Sequence, residues 1–236
     1  KTKLPAPIST ADTGWLQSKH LRVCLRNDGS LYAGPNEGAV QSRQETPQGD
    51  RWVTVVREAG PWYGGVDPAR NLLLSVQTFE PRMTDFKAGL PGVRGSDKLW
   101  QVSYDQILQH LEDYADNAVV DQPIEAIFAW PGRGNRFSKS YNGFEIPEDF
   151  HPASLNFLDW NLNGIYDPDK GDYPIYAQPR GGRALYFPDQ ITTFFYHTDS
   201  STLDWPAFGF PVSGAGYAHT YACSSSPLLE NSVFFT

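Results

Sequence analysis

Turn formers interrupt this sequence so often that only short elements fit between them. Glycine (21) and proline (19) fill 40 of its 236 positions. Glycine frees backbone angles and proline fixes them, so neither suits the interior of a long helix or strand. Short extended segments joined by many turns are the architecture this favours. His20–Arg26 shows the pattern. Leu21, Val23 and Leu25 alternate with His20, Arg22, Cys24 and Arg26, the period of a strand. Asn27-Asp-Gly-Ser30 then reads as a hairpin turn, because Asp-Gly tolerates the positive φ that such turns need. Leu31–Ala33 is the return.

The same reading predicts further strands at Arg51–Arg57, Asn71–Phe79, Ile124–Trp130, Ala184–Phe187, Ile191–His197, Gly216–Cys223 and Ser232–Phe235. Gly34–Asp50 reads as a polar loop. In Trp62-Tyr-Gly-Gly-Val66 the paired glycines predict a bend with close backbone approach. One helix stands apart. Ser103 and Gln106 have the spacing of a capping box, and Tyr104, Ile107, Leu108, Leu111, Tyr114 and Ala115 recur every three or four residues. The spacing predicts a helix over 104–115, with its apolar face on a sheet. The expected fold is therefore mainly β: an antiparallel β-sandwich with one packed amphipathic helix and long loops. Residues 1–18 read as an extended lead-in and 19–236 as a single β-rich domain, with a sub-boundary near 135–155.

Hydrophobic residues at 40% and aromatics at 14% supply a globular core. The formal charge of -8 and a pI near 5.0 argue against a general nucleic-acid binder, which carries the opposite sign. The acidic balance makes multivalent cations plausible ligands. No apolar run approaches the ~20 residues of a spanning helix. Lys1-Thr-Lys3 leads into Pro-rich polar sequence and shows no signal peptide; Lys1 is compatible with a mature N-terminus after cleavage. Ser232-Val-Phe-Phe-Thr236 reads as the middle of a strand, so the polypeptide is expected to continue past Thr236.

The motif with the clearest chemistry runs from Asp159 to Asp172. Calcium takes six to eight oxygen ligands, and a tight loop with alternate oxygen-bearing side chains can supply them. Asp159, Asn161 and Asn163 fill positions one, three and five. Gly164 permits the turn at six, Ile165 offers its carbonyl at seven, and Asp167 stands at nine. Lys170 replaces the usual glutamate at twelve, leaving Asp172, or Asp169, to complete the ligand set. No amphipathic helix follows, since Pro174 and Pro179 intervene. The affinity expected of such a loop is modest, roughly 10⁻⁴–10⁻³ M, the range of extracellular calcium modules. The alternative is a turn whose Asp and Asn side chains cap their own backbone.

Other constellations are weaker. His20, His110, His151, His197 and His219 include no pair at helical zinc spacing. His197 and His219 fall on predicted strands and read as hydrogen-bonded strand residues. Ser213-Gly-Ala-Gly216 is neither a nucleophile elbow nor a phosphate loop. The seven tryptophans and twelve tyrosines suit a β core, or, if two or three were coplanar and exposed, a sugar-stacking face. Cys24 and Cys223 are either free thiols or one long-range disulfide.

Several segments together resemble the N-terminal region of large proteins exported by the type IX secretion system of Bacteroidota. They are Asn27-Asp-Gly-Ser-Leu31; Trp62-Tyr-Gly-Gly-Val-Asp67 with Leu72–Phe79; Lys98-Leu-Trp-Gln-Val102 and the helix after it; Ala129-Trp-Pro-Gly-Arg-Gly-Asn135; the Asp159–Pro174 loop; Asp189–Tyr196; and Glu230–Phe235. They follow the family's order from about residue 20 onward. Asn163 departs from the acidic residue usual at the fifth loop position. The resemblance implies export to the cell surface or medium, through secretion machinery that reads a C-terminal sorting region beyond this chain. The expected function is a structural or adhesive module with a surface glycan or protein partner; the acidic charge argues against nucleic acid and the lack of a long apolar run against a membrane-spanning helix. A carbohydrate-binding module attached to a downstream enzyme is the first alternative and a hydrolase the second. Export also implies oxidising surroundings, in which Cys24 and Cys223 would pair.

Overall fold

The computed structural model describes residues 12–34, 36–79, 82–148, 157–175 and 188–198, with the backbone of 211–218 and 233–235. The strands are β1 Thr13–Gln17, β2 Leu21–Arg26, β3 Val40–Gln44, β4 Arg51–Val56, β5 Trp62–Val66, β6 Leu72–Phe79, β7 Arg82–Thr84 and β8 Phe86–Ala88. There follow β9 Leu99–Ser103, β10 Phe157–Leu158, β11 Tyr173–Pro174, β12 Gln190–Thr198, β13 Pro211–Ala218 and β14 Val233–Phe235. The helices are α1 Tyr104–Asn117, α2 Glu125–Phe128 and α3 Ser138–Asn142, with a 3₁₀ turn at Pro168–Lys170. The fold is mainly β, with antiparallel sheets and one long helix, as the turn-rich sequence predicts. Two compact units interleave along the chain. One is built from described residues within 1–15, 20–99 and 194–214, the other within 16–19, 100–193 and 215–236.

In the first unit β1–β4 form a sheet in sequence order. The expected turn is present, with Gly29 at φ +80°, but the expected return at Leu31–Ala33 is only a single bridge from Leu25 to Leu31, and β3 is the strand that pairs with β2. Two expectations fail here. The 1–18 lead-in contains β1, and the polar segment 34–50 contains β3. Val40-Gln-Ser-Arg-Gln44 carries no hydrophobic alternation, yet β2 and β4 pair with it on both sides. Its polar residues are used across the sheet. Arg22 Nε donates to Gln41 Oε1 at 2.7 Å, and the guanidinium lies 4.7 Å from the ring centroids of both Trp15 and Trp52.

Trp62–Val66 is a regular strand rather than a bend. It pairs with β6 from Trp62↔Val76 to Val66↔Leu72. A Cβ on Gly64 would meet only a Leu74 methyl at 3.8 Å, so no close backbone approach requires this glycine. Tyr63 turns inward from β5 and packs against the cluster of Phe86, Phe194 and Tyr196, as does Leu99. Its hydroxyl lies 2.6 Å from that of Tyr196. This cluster joins the face of β5–β6 to β8 and the end of β12, which pair antiparallel. Cys24, placed by alternation opposite the apolar residues of β2, is itself 1% exposed, because both faces of that strand are covered.

In the second unit Ser103 caps α1 as expected. Gln106 N–H donates to Ser103 Oγ, and Gln106 Oε1 accepts from Ser103 N–H. The buried stripe is rotated from the expected one. Ile107 and His110 are buried, whereas Leu108 is 36% exposed and Ala115 is exposed. Ile124–Trp130 is not a strand: Glu125–Phe128 is one turn of helix. A short apolar run does not distinguish the two. Here Ile127 and Phe128 are buried from a single turn, while Ala129 N–H donates to Glu125 O. The polar segment after it contains α3. Residues 184–187 and 219–223 lie outside the described residues. Among the described residues no helix is long and apolar enough to cross a membrane.

Candidate metal-binding loop

The two-residue ladder of β10 and β11 sets the ends of the loop. Phe157 pairs with Pro174, and Leu158 with Tyr173. This brings Asp159 and Asp172 to the same closed neck. Asp172 is fully buried and completes the closure. Its Oδ1 accepts Trp160 N–H and its Oδ2 accepts Asp167 N–H, both at 2.8 Å. From outside, His110 is buried against the same residue, with Nε2 3.1 Å from the Asp172 carbonyl. Burial holds the His110 imidazole below its ordinary pKa, which favours the neutral ring.

Inside the neck the side-chain oxygens accept the loop's own backbone N–H groups, the bonds of a turn that caps itself. Asp159 Oδ1 accepts Asn163 N–H at 3.2 Å, and its Oδ2 accepts Gly164 N–H at 2.6 Å. Asn161 Oδ1 also accepts Asn163 N–H, at 3.1 Å, and Asn163 Oδ1 accepts Ile165 N–H at 2.7 Å. Gly164 has φ +78°, the region that its place in the motif requires. Asn163 Nδ2 and Lys170 Nζ both donate to Asp167 Oδ2, at 2.8 and 3.0 Å. Burial pushes the Asp167 carboxyl up, but bonds from Asn163, Lys170 and Asn161 hold it below its ordinary range. Asp172 goes the other way, pushed up to about 6 by burial and by the charges of Asp159 and Asp167, against the bonds it accepts.

The loop rests on the other segment singled out by sequence, Ala129–Asn135. Tyr166 N–H donates to Arg133 O at 2.8 Å, and the fully buried Tyr166 hydroxyl donates to Ile127 O at 2.8 Å. Gly132 leaves room for the Tyr166 ring; a Cβ there would lie 2.5 Å from it. Asn135 holds the turn together by donating to the carbonyls of Phe128 and Trp130 and accepting Phe137 N–H.

Asp159, Asn161, Asn163, Ile165, Asp167 and Asp172 thus belong to one hydrogen-bonded loop. Asp169 instead forms an ion pair with Arg136. Each loop oxygen that accepts a single N–H keeps a second lone pair. With Asp169 paired to Arg136, the other three carboxylates of the loop share it with one ammonium, that of Lys170, so the donor set suits a hard cation. The carboxylates alone do not form a metal cluster. Among the described residues no group of three or more His, Cys, Asp or Glu is placed to hold an ion. The amide oxygens and the Ile165 carbonyl would have to complete the shell. Alternation could not reveal His110 and Tyr166, which come from distant or adjacent segments, nor that Lys170 would turn onto Asp167.

Elsewhere, His197 is a hydrogen-bonded strand residue, its Nδ1 2.7 Å from Gly89 O; His219 lies outside the described residues. Trp100 and Trp130 are buried, whereas Trp62 and Trp160 are 69% and 57% exposed. The buried Cys24 Sγ lies 3.4 Å from Tyr32 O, and Cys223, its expected disulfide partner, lies outside the described residues. Compared with known proteins, the chain matches no family model, no curated protein and no solved structure.

Proposed function

We propose that this chain is a non-catalytic structural or adhesive module of a larger extracellular protein, stabilised by calcium in the Asp159–Asp172 loop. The observation that carries the reading is the loop itself. Five oxygen-bearing side chains at the predicted positions lie within one closed turn, with three carboxylates against a single lysine. A cation there relieves the mutual repulsion that helps raise Asp172. It also closes the loop on itself, a structural task that needs no turnover. Export by the type IX machinery through a C-terminal region, with a glycan or protein partner at the cell surface, belongs to the same reading and rests on the sequence resemblance.

Calcium at about 2 mM and a dissociation constant near 10⁻⁴ M would stabilise the fold by about 1.8 kcal/mol. Thermal melts with calcium and with chelator measure this directly. An unchanged melting temperature, with no calorimetric heat at millimolar calcium, would remove the site as a structural element. A second reading, carbohydrate binding, draws on Trp62, whose ring is exposed while its indole N–H is fixed on Gln77 O at 2.8 Å. Titration with soluble glycans, read by tryptophan fluorescence in wild type and Trp62→Ala, separates the two.

A further inference from the structure

The sequence holds two Asn-Gly pairs, Asn142-Gly143 and Asn163-Gly164. In such a pair the glycine nitrogen, unhindered by a side chain, can attack the asparagine side-chain carbonyl. The folded chain treats the two pairs differently. Asn142 is 5% exposed and held at three points. Its Nδ2 donates to Ala129 O and Ser138 Oγ, and its Oδ1 accepts Trp100 Nε1–H. Gly143 N–H is spent on Lys139 O, a neutral carbonyl that takes no proton.

Asn163 is exposed. Its neighbour's nitrogen, Gly164 N–H, donates at 2.6 Å to a carboxylate, Asp159 Oδ2, a group able to accept the proton. The side-chain carbonyl of Asn163 accepts Ile165 N–H at 2.7 Å, which polarises it toward attack and stabilises the oxyanion that attack forms. We infer that Asn163 is a self-modification site, at which the folded loop promotes deamidation.

The step balances with water as the only co-reactant. Gly164 N gives its proton to Asp159 and bonds to Asn163 Cγ. The Cγ–Nδ2 bond breaks, and ammonia leaves with that proton, closing a five-membered imide. Water then opens the imide at either carbonyl, giving aspartate or isoaspartate. Both products add one negative charge at the fifth loop position. If the calcium reading holds, on which this consequence alone rests, the aspartate form binds calcium roughly tenfold more tightly, since ligand charge sets the affinity class of such loops. The isoaspartate form lengthens the backbone by one atom and weakens binding.

The test follows the full chain at neutral to mildly alkaline pH by mass spectrometry, localising the amide-to-acid change. The expected result is conversion at Asn163, faster than in a free peptide of residues 157–175, with Asn142 intact. Asp159→Asn should slow it. A folded chain that converts Asn163 no faster than the peptide, or that converts Asn142 first, overturns the inference; this comparison needs no variant. Calcium titration of Asn163→Asp beside the unmodified protein tests the consequence separately. Equal affinities would overturn the tenfold effect. No binding by either protein would remove the calcium reading and leave the modification standing.

Discussion

Replacing Tyr166 with phenylalanine deletes one oxygen at the junction between the loop and its support. Tyr166 is fully buried, and its hydroxyl donates to Ile127 O at 2.8 Å. The carbonyl does not lose every partner, because Trp130 N–H also donates to it, at 3.2 Å. The cost is therefore that of one net hydrogen bond, about 1 kcal/mol, without the full penalty of an orphaned acceptor. For a chain of this size that corresponds to a fall in Tm of about 2–4 °C. Tyr166→Leu also removes the ring that meets Phe157 edge-on, with centroids 5.2 Å apart, and should cost at least twice as much. Equilibrium urea unfolding is the assay. The midpoint should fall while the slope stays constant, because neither change alters the surface exposed on unfolding. A Tyr166→Phe midpoint equal to that of wild type would refute the reasoning, since a buried hydroxyl with a real partner cannot be deleted at no cost.

Ser103→Ala removes half of the α1 capping box and should destabilise by about 1 kcal/mol, measured by the same denaturation; Ser103→Asn should retain most of the stability. Asp172 should give the metal-free protein a distinctive pH response. Its folded pKa is raised from 3.8 to about 6, so its contribution is fully present below about pH 4 and is lost as pH rises through 6. In chelator, the stability of wild type relative to Asp172→Asn should increase on acidification from pH 7 to 4.5; a flat difference would count against the burial of this carboxylate. The lowered pKa of His110 has the opposite sign and is lost as pH falls below its unfolded value, but both proteins carry it. Cys24, whose thiol burial pushes up to about 11, should resist alkylation in the native protein. Labelling of two thiols in the unreduced, denatured chain would dispose of a Cys24–Cys223 disulfide.

The sequence by itself determined the features that are local. Asp28-Gly29 forms its turn because positive φ is cheap only for such residues. Ser103 and Gln106 start α1 because their side chains reach backbone groups three residues away. The alternate oxygens from Asp159 to Asp167 enter one loop because period two around Gly164 places them there. Tertiary structure decided what depends on partners from elsewhere in the chain. Val40–Gln44 is a strand because β2 and β4 occupy both its edges, although its own residues lack a strand pattern. Ile124–Trp130 has the apolar content of a strand but takes a helical turn that buries Ile127 and Phe128. The stripe of α1 passes through His110 rather than Leu108, because the Asp172 carbonyl, 62 residues away, waits there for an imidazole nitrogen. Pattern reports which atoms a residue can offer, whereas burial and pairing are properties of the surfaces that meet it. For that reason the loop's alternating oxygen-bearing side chains were legible in sequence, and the wall that holds the loop was not.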